Sequence, residues 1–351
     1  MAFLRIENVA IRGISACVPE HVEENIDLPV FKEGEAERVI AQTKIERKHT
    51  VTPGTTASDL CAKATEVLLN DLSWEKESVD ALVFVSSAAD YIVPPTACIL
   101  QDSLSLPESC LCIEIKHGCP GWVVGMTTAS SLINGKALKR VLLLCGDTST
   151  LLNSPLDKET RPLFGDAGTC TALEFEEGAP AMYFEHGTRG KDFKSIFTPA
   201  GGCRNGVCKD DLTFIEYGEN QKRRNIDCSM DGMNVFAFGM STAPQSVSSL
   251  ADHYNLNLSD VDYFVMHQAN HYMNERIRKK LKFQPEKTPY SMFEYGNTSC
   301  ASIPVTIVTQ CQTDYATKSL KSIGCAFGVG LSWGSIYFET NNITCPPIIL
   351  Y

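Results

Sequence analysis

No stretch of the chain approaches the ~20 consecutive apolar residues that a membrane-spanning helix requires, so no helical membrane span is expected. Positive charge is in deficit. The 31 Lys and Arg face 42 Asp and Glu, a net −11, which argues against nucleic acid or anionic lipid as a general partner of the surface. The opening Met-Ala-Phe-Leu-Arg-Ile-Glu-Asn is too short in apolar length and too charged for a secretory signal, so a cytoplasmic location is expected. Low-complexity segments are missing. So is zinc spacing: Cys110-x-Cys112 and Cys203-x4-Cys208 have no second pair and no His couple, so no metal site and no cofactor are expected. Cysteine itself is plentiful, at 15 residues, but the number is odd and the residues are scattered through apolar runs, as at Cys98, Cys145, Cys170 and Cys311. That pattern predicts reduced, buried thiols rather than a disulfide framework.

What is present is apolar patterning on the scale of a large core or two fused ones, with 44% hydrophobic residues over 351. Residues 4–18 alternate as a strand, and the charged 20–50 reads as helix plus loop. Ser58 to Leu72 repeats Leu60, Ala64 and Val67-Leu68 at the helical period. Ala81–Ser86, Cys110–Ile115, Arg140–Cys145 and Thr169–Phe175 read as buried strands, with helices over Thr96–Leu104 and after Cys119. Strands alternating with helices predict an α/β chain around a largely buried sheet. Residues 186–232, rich in Gly, Asp, Lys and Arg, break the rhythm and predict a long excursion lining an entrance.

The second half repeats the first. Leu72 to Val85 resembles Leu256 to Met266, with the two Val-Asp pairs offset by 261 − 79 = 182. Lys136-Ala-Leu-Lys139 resembles Lys318-Ser-Leu-Lys321, and 321 − 139 is again 182. A shared offset predicts a duplicated α/β unit, halves 1–180 and 181–351 forming one compact body about a pseudo-twofold. Adding 182 to 119 lands on Ala301, so the helices after Cys119 and Asn297 should be partners whose N-termini meet at the centre.

Four stretches carry chemistry. Gly118-Cys119 precedes a helix, where the positive end of the helix dipole favours thiolate and suits a nucleophile. His267 closes a buried strand in Tyr263-Phe-Val-Met-His267-Gln-Ala-Asn270, Asn297 sits at a tight turn opening a helix, and Phe327-Gly-Val-Gly330 is a glycine-rich turn between strands. A neutral imidazole and a carboxamide can both donate to an oxyanion or to the enolate formed by loss of CO2 from a malonyl group. Glycine turns bring backbone N–H groups close to an acyl oxygen. Each has a plainer reading: a small buried cysteine, a core histidine, a helix N-cap, a hairpin turn. Their joint position at the ends of a duplicated α/β unit favours a site.

On these motifs, with Leu163-Phe-Gly-Asp166, Met230-Asp-Gly-Met-Asn-Val-Phe236 and Phe327-Gly-Val-Gly-Leu-Ser-Trp-Gly334, the sequence resembles the β-ketoacyl-acyl-carrier-protein synthase III family of thiolase-like condensing enzymes, from about Ile6 to Phe338. The resemblance implies a five-layered αβαβα fold with two mixed sheets, a homodimer, and a Cys119–His267–Asn297 triad. It implies that Cys119 takes a primer acyl group from a thioester of acyl carrier protein or coenzyme A. His267 and Asn297 then assist malonyl decarboxylation and condensation, with the backbone N–H groups of Cys119 and Val329 as oxyanion donors. Several positions depart from the family, among them Pro120 and the Ala-Gly-Thr-Cys that follows Asp166. The Trp and Arg that grip coenzyme A are replaced by Arg38 and Gln42, and an Arg common after the His-Gln-Ala-Asn motif is Tyr272. The departures leave open a relative that passes its acyl group to another acceptor without decarboxylation, or a non-catalytic partner subunit. The basic run Arg276, Arg278, Lys279, Lys280, Lys282 reads either as a solvated helix face or as a docking patch for acidic acyl carrier protein, with Arg276, Lys279 and Lys280 its candidates.

Overall fold

The computed structural model describes residues 2–218 and 221–351. The alternating segment expected as one strand is two, β1 (Ala2–Ile6) and β2 (Val9–Val18), because the backbone turns at Asn8 with φ 62, a left-handed conformation that Asn tolerates. The charged stretch that follows adds helix α1 (Glu35–Thr43) between two three-residue strands. Helix α2 (Ala57–Leu72) starts at a capping box between Thr56 and Asp59 and stops where Ser73 turns left-handed, burying Leu60, Ala64 and Leu68. Then come β3 (Ala81–Ser86), α3 (Thr96–Ser103), β4 (Leu111–Lys116), α4 (Gly121–Asn134), β5 (Arg140–Asp147), β6 (Ala167–Phe175) and β7 (Met182–Thr188). After the excursion the chain forms α5 (Gly232–Tyr254), β8 (Tyr263–Met266), α6 (His271–Leu281), α7 (Ser302–Gln310), α8 (Gln312–Thr317), β9 (Ser319–Gly328), β10 (Ser332–Asn341) and β11 (Ile349–Leu350).

These strands make two mixed sheets. The first runs β11-β2-β6-β5-β3-β4, with β5, β3 and β4 parallel and β6 antiparallel to both its neighbours. The second runs β1-β7-β10-β9-β8, with β8 parallel to β9 and the rest antiparallel. The termini cross over: β1 pairs in the second sheet and β11 in the first. Helices α2 and α3 cover the outer face of the first sheet through Leu60, Leu68, Phe84, Leu100 and Leu142. Helices α5 and α6 cover the second through Val247, Phe264, Ile277 and Phe327. Between the sheets lie α4 and α7, where Trp122, Met126, Ile303 and Val305 pack with Val85, Phe184 and Ile336. Alternation of helix and sheet gives five layers, because each strand run is apolar on both faces and needs cover on both.

The 182-residue offset is visible in the elements. Shifting β3 by 182 gives 263–268, against β8 at 263–266; shifting α4 gives 303–316, against α7 and α8; shifting β5 gives 322–329, against β9 at 319–328. The two central helices do meet at their starts. A Cβ placed on Gly121 would lie 2.8 Å from the Cβ of Cys300, so only glycine lets α4 begin against the Ser299–Ala301 turn. Nine of the fifteen cysteines are buried and none forms a disulfide among the described residues, but Cys98, expected inside, is exposed on α3.

Candidate active site

Cys119 lies on the connection between β4 and α4, one residue before the N-cap Pro120. His267 follows the last residue of β8, and its N–H is tied at 2.8 Å to the Cys325 carbonyl on β9. Asn297 is held from both sides by chain 163–165: its N–H donates to the Leu163 carbonyl at 2.8 Å, and its carbonyl accepts from Gly165 at 3.1 Å. Three segments from both halves therefore converge, and Cys119, His267 and Asn297 line one cavity of about 560 Å³ with Phe164, Met230 and Phe236.

The sulfur is held closely. A Cβ on Gly328 would stand 2.6 Å from Cys119 Sγ, which explains glycine there. The backbone of Val329, the backbone of Cys119 itself and the Ser299 side chain all act to hold the thiol's pKa down. They do not win. Burial pushes the Cys119 thiol up from 9.0 to about 11, aided by the negative charge of Asp147. Burial therefore outweighs the helix terminus here and favours the thiol form. Magnitudes explain why, since the rise corresponds to ~3 kcal/mol against the thiolate, while a helix terminus supplies roughly 0.3–1 kcal/mol.

The imidazole rests uncharged too. His267 is buried, and burial pushes its pKa down to about 4. Its Nδ1 lies 2.8 Å from the Ser302 hydroxyl at the start of α7, and its ring meets Phe327 edge-on. The rest of the motif is bracing. Gln268 accepts from the Ser291 N–H and donates to the Met266 carbonyl, Asn270 caps α6, and Asn274 reaches back to the His267 carbonyl. Asn297 takes the cap role that its plainer reading gave it. Its Oδ1 accepts from the Ser299 N–H at 2.9 Å, a cap, which leaves the amide Nδ2–H₂ as its donor to the cavity.

Behind this lies a buried ionic network. Lys48 is fully buried and ion-pairs with Glu23 at 2.7 Å, which also pairs with Arg161. Lys48 packs against Gly165 and Gly296, the turns that carry Asn297. Asp166, also buried, accepts from the N–H groups of Val51 and Thr150 and fixes the same loop. A lone lysine in a strand of three has no periodic signal, so nothing local marked Lys48 as interior.

The excursion walls the site, as expected, and more fully than expected. It gives Ile196 and Met230 to the first cavity and several residues to a second, of about 430 Å³, that reaches Cys119 from the Ser299 and Val329 side. Outside the first cavity, a groove of about 730 Å³ runs between the end of α1, including Gln42, and the start of α6. Tyr272 stacks on Phe236 there, and the Arg276 guanidinium lies 4.6 Å over the Tyr272 ring. Arg276, Lys279 and Lys280 border the outer surface of this region, apart from the triad. Arg278 belongs to a different set: it is buried, pairs with Glu275 at 2.7 Å and donates to the Phe283 carbonyl. Arg38 donates to the Gly34 carbonyl on its own helix.

This arrangement matches known proteins throughout. Two family models, described as 3-oxoacyl-[acyl-carrier-protein] synthase III and its C-terminal part, match residues 113–190 and 251–340. A Campylobacter jejuni protein assigned as a 3-oxoacyl-[acyl-carrier-protein] synthase 3 is 30% identical, covering 99% of this chain and 98% of its own. A Fusobacterium nucleatum protein named beta-ketoacyl-[acyl-carrier-protein] synthase III is 28% identical over 94% of this chain and 98% of its own. The crystal structure of a 3-oxoacyl-(acyl-carrier protein) synthase from Burkholderia xenovorans superposes with a TM-score of 0.93 at 35% identity, covering 100% of this chain and 99% of that one.

Proposed function

The chain belongs to the 3-oxoacyl-acyl-carrier-protein synthase III family, and we propose that its condensing chemistry runs on Cys119, His267 and Asn297 with two backbone N–H groups. The observation that carries this reading is the shared cavity of those three side chains.

In the first half-reaction Cys119 Sγ attacks the thioester carbonyl of the primer. Its proton passes to neutral His267, whose low pKa makes the imidazolium a strong acid that returns the proton to the leaving pantetheine thiolate. The N–H groups of Cys119 and Val329 hold the tetrahedral oxyanion. In the second half-reaction a malonyl thioester loses CO2, and its enolate oxygen is held by the imidazole N–H and by Asn297 Nδ2. The enolate carbon attacks the acyl-Cys119 carbonyl, the same backbone pair holds the oxyanion, and collapse releases a β-ketoacyl thioester and the Cys119 thiolate, which regains its proton from water. The first step needs a lone pair on His267 Nε2 and the second needs a proton there. Ser302 supports both, because a hydroxyl can donate to Nδ1 or accept from it.

The donor is an acyl carrier protein thioester, received in the cytoplasm at the groove beside Arg276, Lys279 and Lys280, whose charge suits an acidic carrier on a chain of net −11. The working form is a homodimer joined along β4, an edge strand whose Leu111 is exposed beside the exposed apolar run Tyr91, Ile92 and Val93. The test is intact-mass analysis after mixing with acyl thioesters, together with CO2 release from malonyl-acyl-carrier protein. An acyl adduct that maps to Cys119, followed by CO2 release, is expected. Labelling that survives Cys119→Ala would overturn the reading.

A further inference from the structure

Cys119 stands where two cavities meet, and only the first contains His267 and Asn297. The condensation chemistry occupies the first, so the second is the space left for the primer chain. Its volume, about 430 Å³, compares with the ~30 Å³ that one water molecule occupies, so it takes a chain of several carbons rather than an acetyl group. Part of its lining is apolar, through Phe164, Ile196 and Val329. It also carries three polar side chains that bond to nothing in the protein. Asn153 is 95% buried, at 5% exposure, and its carboxamide has no hydrogen-bond partner. Ser149 is 6% exposed and its hydroxyl is likewise unpartnered. Lys116, at the end of β4, is exposed at the rim of the same cavity and has no ion pair, on a chain with an excess of carboxylates.

A wall that carries a carboxamide, a hydroxyl and an ammonium with no partner in the protein offers all three to an acceptor that arrives with the substrate. An ammonium, an amide and a hydroxyl together offer donors to a group rich in lone pairs, which is what a carboxylate is. We propose that Lys116, Asn153 and Ser149 read the far end of the primer, and that the primer is a medium-length acyl thioester ending in a carboxylate. This rests on the assignment of Cys119 as the acylated residue and adds the substrate class.

The experiment sets three eight-carbon thioesters in competition, each carried on acyl carrier protein and on coenzyme A: octanoyl, ω-hydroxyoctanoyl and ω-carboxyheptanoyl. Early acyl-Cys119 adducts are read by intact mass. The carboxyl-ended chain should load about tenfold faster than octanoyl, or more, with the hydroxyl-ended chain between them. Lys116→Met should bring the carboxyl-to-methyl ratio to one or below, and Lys116→Glu should invert it. Asn153→Leu should reduce it, with circular dichroism as the check on folding. A wild-type ratio near or below one overturns the proposal, as does a ratio unmoved by both Lys116 variants. In those outcomes the label still sits on Cys119 and the condensing assignment stands. Failure of every thioester to label Cys119 would remove that assignment as well.

Discussion

The two halves are copies with unequal duties. At matched positions 182 residues apart, Cys119 faces Ala301, Val85 faces His267 and Asp147 faces Val329. The first half supplies the sulfur and a buried carboxylate; the second supplies the imidazole and the amide donor that meets the sulfur. Burial acts on them in opposite directions, raising the thiol to about 11 and lowering the imidazole to about 4, and the result is the same on both sides. Each group is pushed toward its uncharged form. What the duplication provides is a meeting of two helix starts and two strand ends at one point. What divergence provides is chemistry that neither copy contains alone.

Removing the first half's share is the most severe way to break that division. Cys119→Ala should end acyl labelling and lower condensation by three orders of magnitude or roughly more, read by mass and by product formation. Removing the second half's share should separate the steps. Asn297→Ala should lower malonyl decarboxylation about 10²–10³-fold, as for other lost oxyanion donors, while the variant still forms an acyl-Cys119 adduct. His267→Ala should impair both steps, because acylation uses its lone pair and decarboxylation its proton. Equal losses in both steps for Asn297→Ala would erase the division of labour between the halves.

Charge state offers a milder probe. Because the folded thiol titrates near 11 and an ordinary one at 9.0, alkylation of Cys119 by iodoacetamide should keep rising about tenfold per pH unit from pH 8 to 10. The linkage has a definite sign. Between 9 and about 11 the unfolded chain releases this proton and the folded chain keeps it, so this group costs stability as pH rises through that window. His267 works on the other side. Its folded value near 4 lies below the ordinary 6.5, so the unfolded chain binds the extra proton and stability falls as pH drops from about 6.5 toward 4. A Cys119 alkylation curve that levels at or below pH 9 would show the helix terminus prevailing over burial.

Much of this architecture was legible in the chain. Buried strands such as Ala81–Ser86 are continuous apolar runs, and the 182 offset could be counted directly; it led from Cys119 to the turn beside Asn297 before any coordinates. The residues that were not legible share a cause. Lys48, Ser299, Ser302 and Asn153 act through partners, or through a lack of partners, that lie far away along the chain, as Ser302 does with His267 35 residues before it. Polar residues in loops carry no periodicity, so their burial is set wholly by tertiary packing. The upward push on the Cys119 thiol was not legible for the related reason that a helix start is a local feature and desolvation is not.

Ser302 gives the smallest expected effect and tests the comparison at its finest point. Its hydroxyl lies on the helix start that matches α4, so the second half uses this terminus to orient a base while the first uses its own to present a sulfur. Ser302→Ala leaves Nδ1 of a buried ring without its partner, which costs about 1.4 kcal/mol, or tenfold in rate. The loss should fall on kcat in both half-reactions with KM little changed, because the ring is misaligned rather than the substrate displaced. Ser302→Thr keeps the hydroxyl and should restore most of the rate. A loss confined to one half-reaction would mean that the hydroxyl serves a single tautomer, and the switching role assigned to it would then have no basis.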